Sequence, residues 1–306
     1  MVIFMSAFLL ARLRRRRGGA LLLIGPQTIS RLVMAGFSIG AALGKTLTAG
    51  PAAKAARRLS DWVDLEGSWL TKLLTDLAPR ARGKLLDVGC GQKPYEHIFL
   101  PHVDAYIGVE YGDTFQKTNS SSKGGRPDFV YDGKTLPFES KSFDTILSIQ
   151  VLEHTPAPAP LVAEMSRVMK DDGLMILTAP FSFRLHEEPD DFYRYSPHAL
   201  RRLCQDAGLE VIQMEPRGGL FTVIGHKLNS YLALNVAHID AVAQAMGKLG
   251  HEQSSDRGVR WWTLPWVGPS MVTIAAGARA LDRVLPDPTE TLGFVLVARR
   301  AAAASG

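Results

Sequence analysis

A short apolar strand that runs straight into a glycine turn and a helix start constrains this chain more than any other feature. Lys84 to Val88 is apolar apart from Lys84 and Asp87, the turn Gly89-Cys90-Gly91 follows, and Pro94 occupies a favoured first-turn position of a helix. This unit is the repeating element of parallel α/β sheets, and the chain repeats it. Ala105 to Glu110, Asp128 to Tyr131, Phe143 to Ile149 and Leu174 to Ala179 read as the second to fifth strands. Between the last two, Leu161, Met165, Val168 and Met169 mark a helix predicted to close at Asp171-Asp172-Gly173. Ser196-Pro197 then reads as an N-cap and first-turn proline, starting a helix that ends at Gly208 and feeds a sixth strand, Glu210 to Met214. Upstream, Leu65, Trp69, Leu70, Leu73, Leu74 and Leu77 recur at helical spacing, and Phe294 to Ala298 is the last strong strand. The expected fold is a doubly wound α/β domain with a mostly parallel sheet and helices on both faces.

With 306 residues, 46% hydrophobic and 21% charged, the chain can bury one substantial core with appendages or two small domains. The patterns divide it into an apolar and basic extension (1–58), the α/β core (59–216), a helical insertion (217–290) and a final strand with its tail (291–306). The net charge of +5 equals the contribution of Arg12, Arg14, Arg15, Arg16 and Arg17, so the remainder is balanced. A terminal basic run, rather than a stripe interleaved with aromatics, speaks against a nucleic-acid partner. Two cysteines, Cys90 and Cys204, without ligand spacing indicate neither a disulfide framework nor a structural zinc, and fit a reducing, cytoplasmic location. The extension places its charge after the apolar Met1 to Leu10, the reverse of a secretory signal, and Ala20 to Leu43 is interrupted by Pro26, Gln27 and Arg31. It reads either as a poorly ordered segment or as a peripheral anchor at the inner face of the membrane.

The chemistry follows from what surrounds the turn. A dinucleotide site would carry a third glycine where Pro94 stands, and Asp87 ahead of the turn would repel pyrophosphate. An acidic group there suits a cofactor bearing an ammonium and a sulfonium. Asp87-Val88-Gly89-Cys90-Gly91 resembles the first motif of class I, Rossmann-like methyltransferases dependent on S-adenosylmethionine. Three further segments resemble the same family in order and spacing: Glu110 at the end of the second strand, Asp132-Gly133 ahead of Leu136-Pro137-Phe138, and Ser148 to His154, containing Gln150 and Glu153. The resemblance covers Leu85 to about Met214. It implies a seven-stranded sheet with the seventh strand antiparallel. It further implies S-adenosylmethionine along the carboxyl ends of the first, second and fourth strands. Asp87, Gly89, Cys90 and Gly91 would lie at its methionine end, Glu110 on its ribose hydroxyls, and Asp132 and Gly133 at its adenine. Gln150 and Glu153 would border the methionine moiety.

Acceptor groups are expected on the loops after the fourth and fifth strands, because ligands of open α/β sheets sit beyond the carboxyl ends. His154 closes the first of these loops and is a candidate base near neutral pH, or else a residue that fixes the loop after the fourth strand. The second, Phe181 to Tyr195, is crowded with polar and aromatic groups and resembles a stretch of methyltransferases associated with glycan biosynthesis. His186 is its candidate base, with Asp191, Tyr193 and Arg194 as acceptor-binding groups; alternatively, Arg194 pairs with Glu187, Glu188 or Asp191 to fix the loop. No paired-ligand spacing points to a metal. The insertion, with Trp261, Trp262 and Trp266, reads as a cap over the acceptor or as a surface dipping into a membrane interface. The function expected is methyl transfer, preferably at oxygen, to a small or lipid-linked acceptor such as a sugar or quinone. Set against it stand a non-catalytic scaffold with the cofactor fold and a nucleotide-dependent oxidoreductase.

Overall fold

The computed structural model describes residues 58–59, 61–112, 126–238 and 260–301, and its organising feature is a single seven-stranded sheet. The strands are β1 (Lys84–Val88), β2 (Ala105–Tyr111), β3 (Phe129–Tyr131), β4 (Phe143–Ile149), β5 (Met169–Pro180), β6 (Leu209–Pro216) and β7 (Gly293–Arg300), in the order β3-β2-β1-β4-β5-β7-β6. All neighbouring pairs are parallel except those of β7, which runs antiparallel to both β5 and β6.

Alternation along the central strands explains why helices cover both faces. Leu86, Ile146 and Leu177 point to one side, where they pack with Leu161, Val162 and Met165 of α3 (Pro158–Val168) and Leu200 and Cys204 of α4 (Pro197–Asp206). Leu85, Leu147 and Ile176 point to the other, against Leu70, Leu74 and Leu77 of α1 (Leu65–Leu77) and Phe99 of the short α2 (Glu96–Phe99). The helix starts are those the capping residues dictate. Asp64 accepts from Gly67 N (3.1 Å) at α1, and Ser196 accepts from Ala199 N (3.2 Å) ahead of Pro197 at α4.

Among the described residues, the chain between β6 and β7 contains two α-helices, α5 (Leu220–Tyr231) and α6 (Leu264–Val284), that pack on each other and on α1. Gly225 lets α5 approach closely, since a Cβ there would stand 2.9 Å from both Ala278 and Leu65. Because Pro216 pairs near Phe294 and Pro180 pairs with Gly293, this insertion leaves and rejoins the sheet at its carboxyl edge.

Two local expectations need correction. The helix before β5 stops at Val168, and Asp171-Asp172-Gly173 lies within β5, where a register shift accommodates it. Asp172 pairs with Arg82 and Asp171 with Lys141 and Arg300, so charges from other elements hold a turn-like composition in a strand. Pro94 precedes the helix by a turn, and α2 starts at Glu96. The basic extension lies almost wholly outside the described residues, as does the middle of the insertion, 239–259. Among the described residues no helix is long and apolar enough to cross a membrane.

Candidate active site

Parallel strands deliver their carboxyl ends to one edge, and at that edge β1 and β4 lie side by side. Asp87 sits there 3% exposed, accepting from the Tyr106 hydroxyl of β2. Burial pushes its carboxyl up to about 7, with the Tyr106 hydrogen bond pulling against that rise and the nearby Glu110 charge adding to it. Gly89, at φ 74°, makes the tight turn that follows; a Cβ there would meet Val151 at 2.5 Å, so only glycine lets the turn pass under the β4 loop. Cys90 is buried, and burial raises its thiol far above the ordinary range, leaving it an inert packing group. Gly91, also in the left-handed region, faces open space and donates its N–H to Glu110 Oε2 at 2.6 Å. Glu110 Oε1 accepts from Tyr111 N at 2.8 Å; burial raises this carboxyl and the two backbone donors oppose the rise. Asp132 stands apart from these buried groups. It is exposed after β3, its carboxylate closing its own turn through Lys134 N and Thr135 N, while Gly133 lies under the Tyr111 ring.

At the end of β4, Gln150 takes φ 56°, an uncommon conformation for a residue with a Cβ and one that recurs at functional sites. Its amide is satisfied when the nitrogen donates to Glu153 Oε1 (2.9 Å) and the oxygen accepts from Arg217 (3.0 and 3.1 Å) and the Thr178 hydroxyl (3.2 Å). Glu153 is fully buried, and burial lifts its carboxyl to about 7 against the opposing charges of His154 and Arg217. Arg217, fully buried just after β6, also donates to Glu66 of α1 at 2.8 Å. Sequence reasoning did not find this arginine. Its sequence signal was Arg217-Gly218-Gly219 directly after a strand, and Gly293 is the space its guanidinium needs, since a Cβ there would stand 2.3 Å from Nη2.

The loop after β5 folds back over the loop after β4. Phe192 N donates to Glu153 O (2.8 Å), Tyr195 Oη to Leu152 O (2.9 Å) and Tyr193 Oη to Pro156 O (3.0 Å). Asp191 receives a two-pronged contact from Arg194 (2.6 and 2.7 Å) and also accepts from His186 N (3.0 Å). Arg194 further donates to the carbonyls of Phe183 and Arg184, so both groups fix the loop. This folding brings His154 and His186 together, with ring centroids 4.7 Å apart. Burial, reinforced by the His154 charge, lowers His186 to about 4, so its imidazole is neutral near pH 7. Phe183 stacks on His226 of α5 at 5.1 Å, which joins the insertion to this loop. An open cavity of about 440 Å³ bounded by Arg201, Gln205, Leu209, Glu210, Val211 and Ala301 lies at the opposite, amino edge, away from all these groups.

A sheet in the order 3-2-1-4-5-7-6 with an antiparallel seventh strand and acidic groups at the ends of β1 and β2 defines a class. The family model described as the methyltransferase domain matches residues 57–214, more than half of the chain, and the chain belongs to that family. An uncharacterized methyltransferase of Mycobacterium marinum is 39% identical over 114 residues, covering 35% of this chain and 45% of that protein. One of Mycobacterium tuberculosis is 37% identical over 108 residues, covering 35% and 42%. The chain thus spans less than half the length of the curated relatives it matches. Among solved structures, an S-adenosylmethionine-dependent methyltransferase from Mesorhizobium loti superposes with a TM-score of 0.45 at 13% identity, over 77% of this chain and 100% of that one.

The cofactor of this class is S-adenosylmethionine. The residues present fit it. Asp87 and Glu110 are buried carboxyls whose ionised forms a cationic ligand would stabilise, and Gly91 leaves space beside the Glu110 carboxylate that any side chain would begin to fill.

Proposed function

We propose that the chain transfers the methyl group of S-adenosylmethionine to a hydroxyl oxygen of a small or amphipathic acceptor held between the loops after β4 and β5. When bound, the cofactor supplies an already activated methyl group, so the protein's task is alignment, exclusion of water and removal of the acceptor's proton. Asp87 is assigned to the cofactor's ammonium and Glu110 to its ribose hydroxyls. Gly89, Cys90 and Gly91 form the turn beneath it, Asp132 and Gly133 border its adenine, and Gln150 and Glu153 close its methionine side. Gln150 acts as a positioning residue, because its amide couples Glu153 to Arg217.

The observation that carries the acceptor assignment is the meeting of His154 and His186 beneath a loop tied down by Asp191, Tyr193 and Arg194. Each histidine directs Nδ1 at a backbone carbonyl, which leaves Nε2 to take a hydroxyl proton. An amphipathic acceptor, such as a lipid-linked sugar or quinone of the glycan-associated type, is supported by exposed apolar groups on the insertion. Ile224, Leu228 and Tyr231 form an outward stripe on α5, and Trp262 and Trp266 are 69% and 53% exposed. On this reading, residues 217–290 act as a cap beside the acceptor and 59–216 with 291–306 as the cofactor-binding core.

Calorimetric titration with S-adenosylmethionine and S-adenosylhomocysteine tests the reading. Wild type is expected to bind both, and Asp87→Ala and Glu110→Ala to lose roughly tenfold to a hundredfold in affinity each, the worth of a charged hydrogen bond. A folded wild type that binds neither would instead favour a scaffold role.

A further inference from the structure

Three side chains able to hold a cation meet where the loop after β5 covers the loop after β4. One carboxylate oxygen of Glu153 and one ring nitrogen each of His154 and His186 lie within 4.8 Å of one another. Glu153 is fully buried, and its Oε2 has no hydrogen-bond partner although Oε1 accepts from Gln150. A buried carboxylate oxygen left without a donor is destabilising, and such an atom calls for something to bind.

The two imidazoles are held in a matching way. His154 Nδ1 faces the carbonyl of Asp190 at 2.7 Å, and His186 Nδ1 faces the carbonyl of Arg184 and Oδ2 of Asp191, each at 3.2 Å. A carbonyl oxygen only accepts, so each Nδ1 carries the hydrogen and each Nε2 presents a lone pair. A histidine whose second nitrogen is fixed on a carbonyl or carboxylate is the arrangement that orients metal ligands. Glu187 adds a fourth donor, its Oε2 lying 3.8 Å from His154 Nε2.

We propose that Glu153, His154 and His186, with Glu187 at the rim, bind one divalent first-row transition-metal ion. Mixed imidazole and carboxylate donors suit the range from Mn²⁺ to Zn²⁺ better than Mg²⁺ or Ca²⁺, which favour oxygen throughout. Ligands at about 2.0–2.2 Å from one tetrahedral ion stand about 3.3–3.6 Å from each other, so donors spread over up to 4.8 Å need to close by up to about 1.5 Å, within the reach of side-chain rotation. Ion binding stands on these residues alone. The further consequence, that the ion would take the acceptor's oxygen and assign the histidines a ligand role in place of a base, rests on the acceptor position proposed above.

The test is titration of the full chain, first treated with a chelator, with Co²⁺ and then Zn²⁺, alongside S-adenosylmethionine calorimetry on the same preparation. The expected result is uptake of one Co²⁺ per chain with a visible absorption band, displaced by Zn²⁺. Affinity should fall more than about tenfold in Glu153→Gln and in His186→Asn, a loss seen even for outer-shell partners. Near-ultraviolet circular dichroism checks that each variant is folded, and the wild-type stoichiometry decides if one is not. Wild type that binds S-adenosylmethionine but takes up neither ion overturns the proposal, as does uptake undiminished in both folded variants. Metal uptake without S-adenosylmethionine binding would support the proposal and defeat the cofactor assignment instead.

Discussion

Asp87 and Glu153 are carboxyl groups held out of water, and their behaviour with pH follows from that. Both are raised to about 7 by burial, well above the ordinary carboxyl range. A carboxyl whose folded-state pKa is raised binds a proton in the folded chain that the unfolded chain has already released. Its contribution to stability is therefore fully present below the unfolded pKa and lost as pH rises through about 7. The ligand-free protein is expected to lose about 1–3 kcal/mol between about pH 5 and about pH 8, measured by denaturant unfolding, with a smaller loss in Asp87→Asn. Cofactor binding should show the opposite slope. An ammonium beside Asp87 favours the ionised carboxylate, so affinity should rise with pH up to about 7, with proton release detectable in buffers of different ionisation enthalpy. Gly89→Ala gives a steric test at the same edge. The left-handed φ and the approach to Val151 should together destabilise the fold by about 1–3 kcal/mol or more, read from the unfolding midpoint.

At the scale of elements, Arg217 ties three of them together: α1 through Glu66, the end of β4 through Gln150, and its own position after β6. Arg217→Met removes the charge partner of Glu66 inside the protein. It should destabilise the fold by about 3–5 kcal/mol in denaturant unfolding, with part of the loss recovered by adding Glu66→Gln. The Arg217-Gly218-Gly219 run marks a turn after β6 but not the arginine's role, because its partners lie 151 positions away in α1 and at the end of β4. The strands, by contrast, were legible wherever burial on both faces makes an apolar run, as in β1, β4 and β7, and where Ser196 and Pro197 mark a helix start. The start of β5 was not, since Lys170 to Gly173 has turn composition and is kept extended by ion pairs from distant elements. At the site, the acidic groups at strand ends could be read in place, whereas the convergence of Glu153, His154 and His186 needs the folding of one loop over another.

For the whole molecule, the exposed apolar groups of the insertion make a prediction about surfaces. If an amphipathic acceptor is drawn from a lipid phase, the chain should co-sediment with anionic vesicles, and Trp262→Ser combined with Trp266→Ser should weaken that association about tenfold or more, by the worth of two buried indoles. Equal sedimentation of the variant would remove this support for a lipid-linked substrate. The position of β7 carries a different prediction. It lies between β5 and β6, and among the described residues β6 pairs with no other strand. Truncation before Gly293 should therefore yield insoluble protein, measured by fractionation of expressed material.

The same wedge has a consequence for how the protein comes into being. Synthesis delivers β6 to the growing chain well before the strand that will hold it, and the intervening residues must emerge while two unzipped edges wait. The sheet can be sealed only once β7 has emerged, so the edges of β5 and β6 stay unpaired throughout synthesis of the insertion.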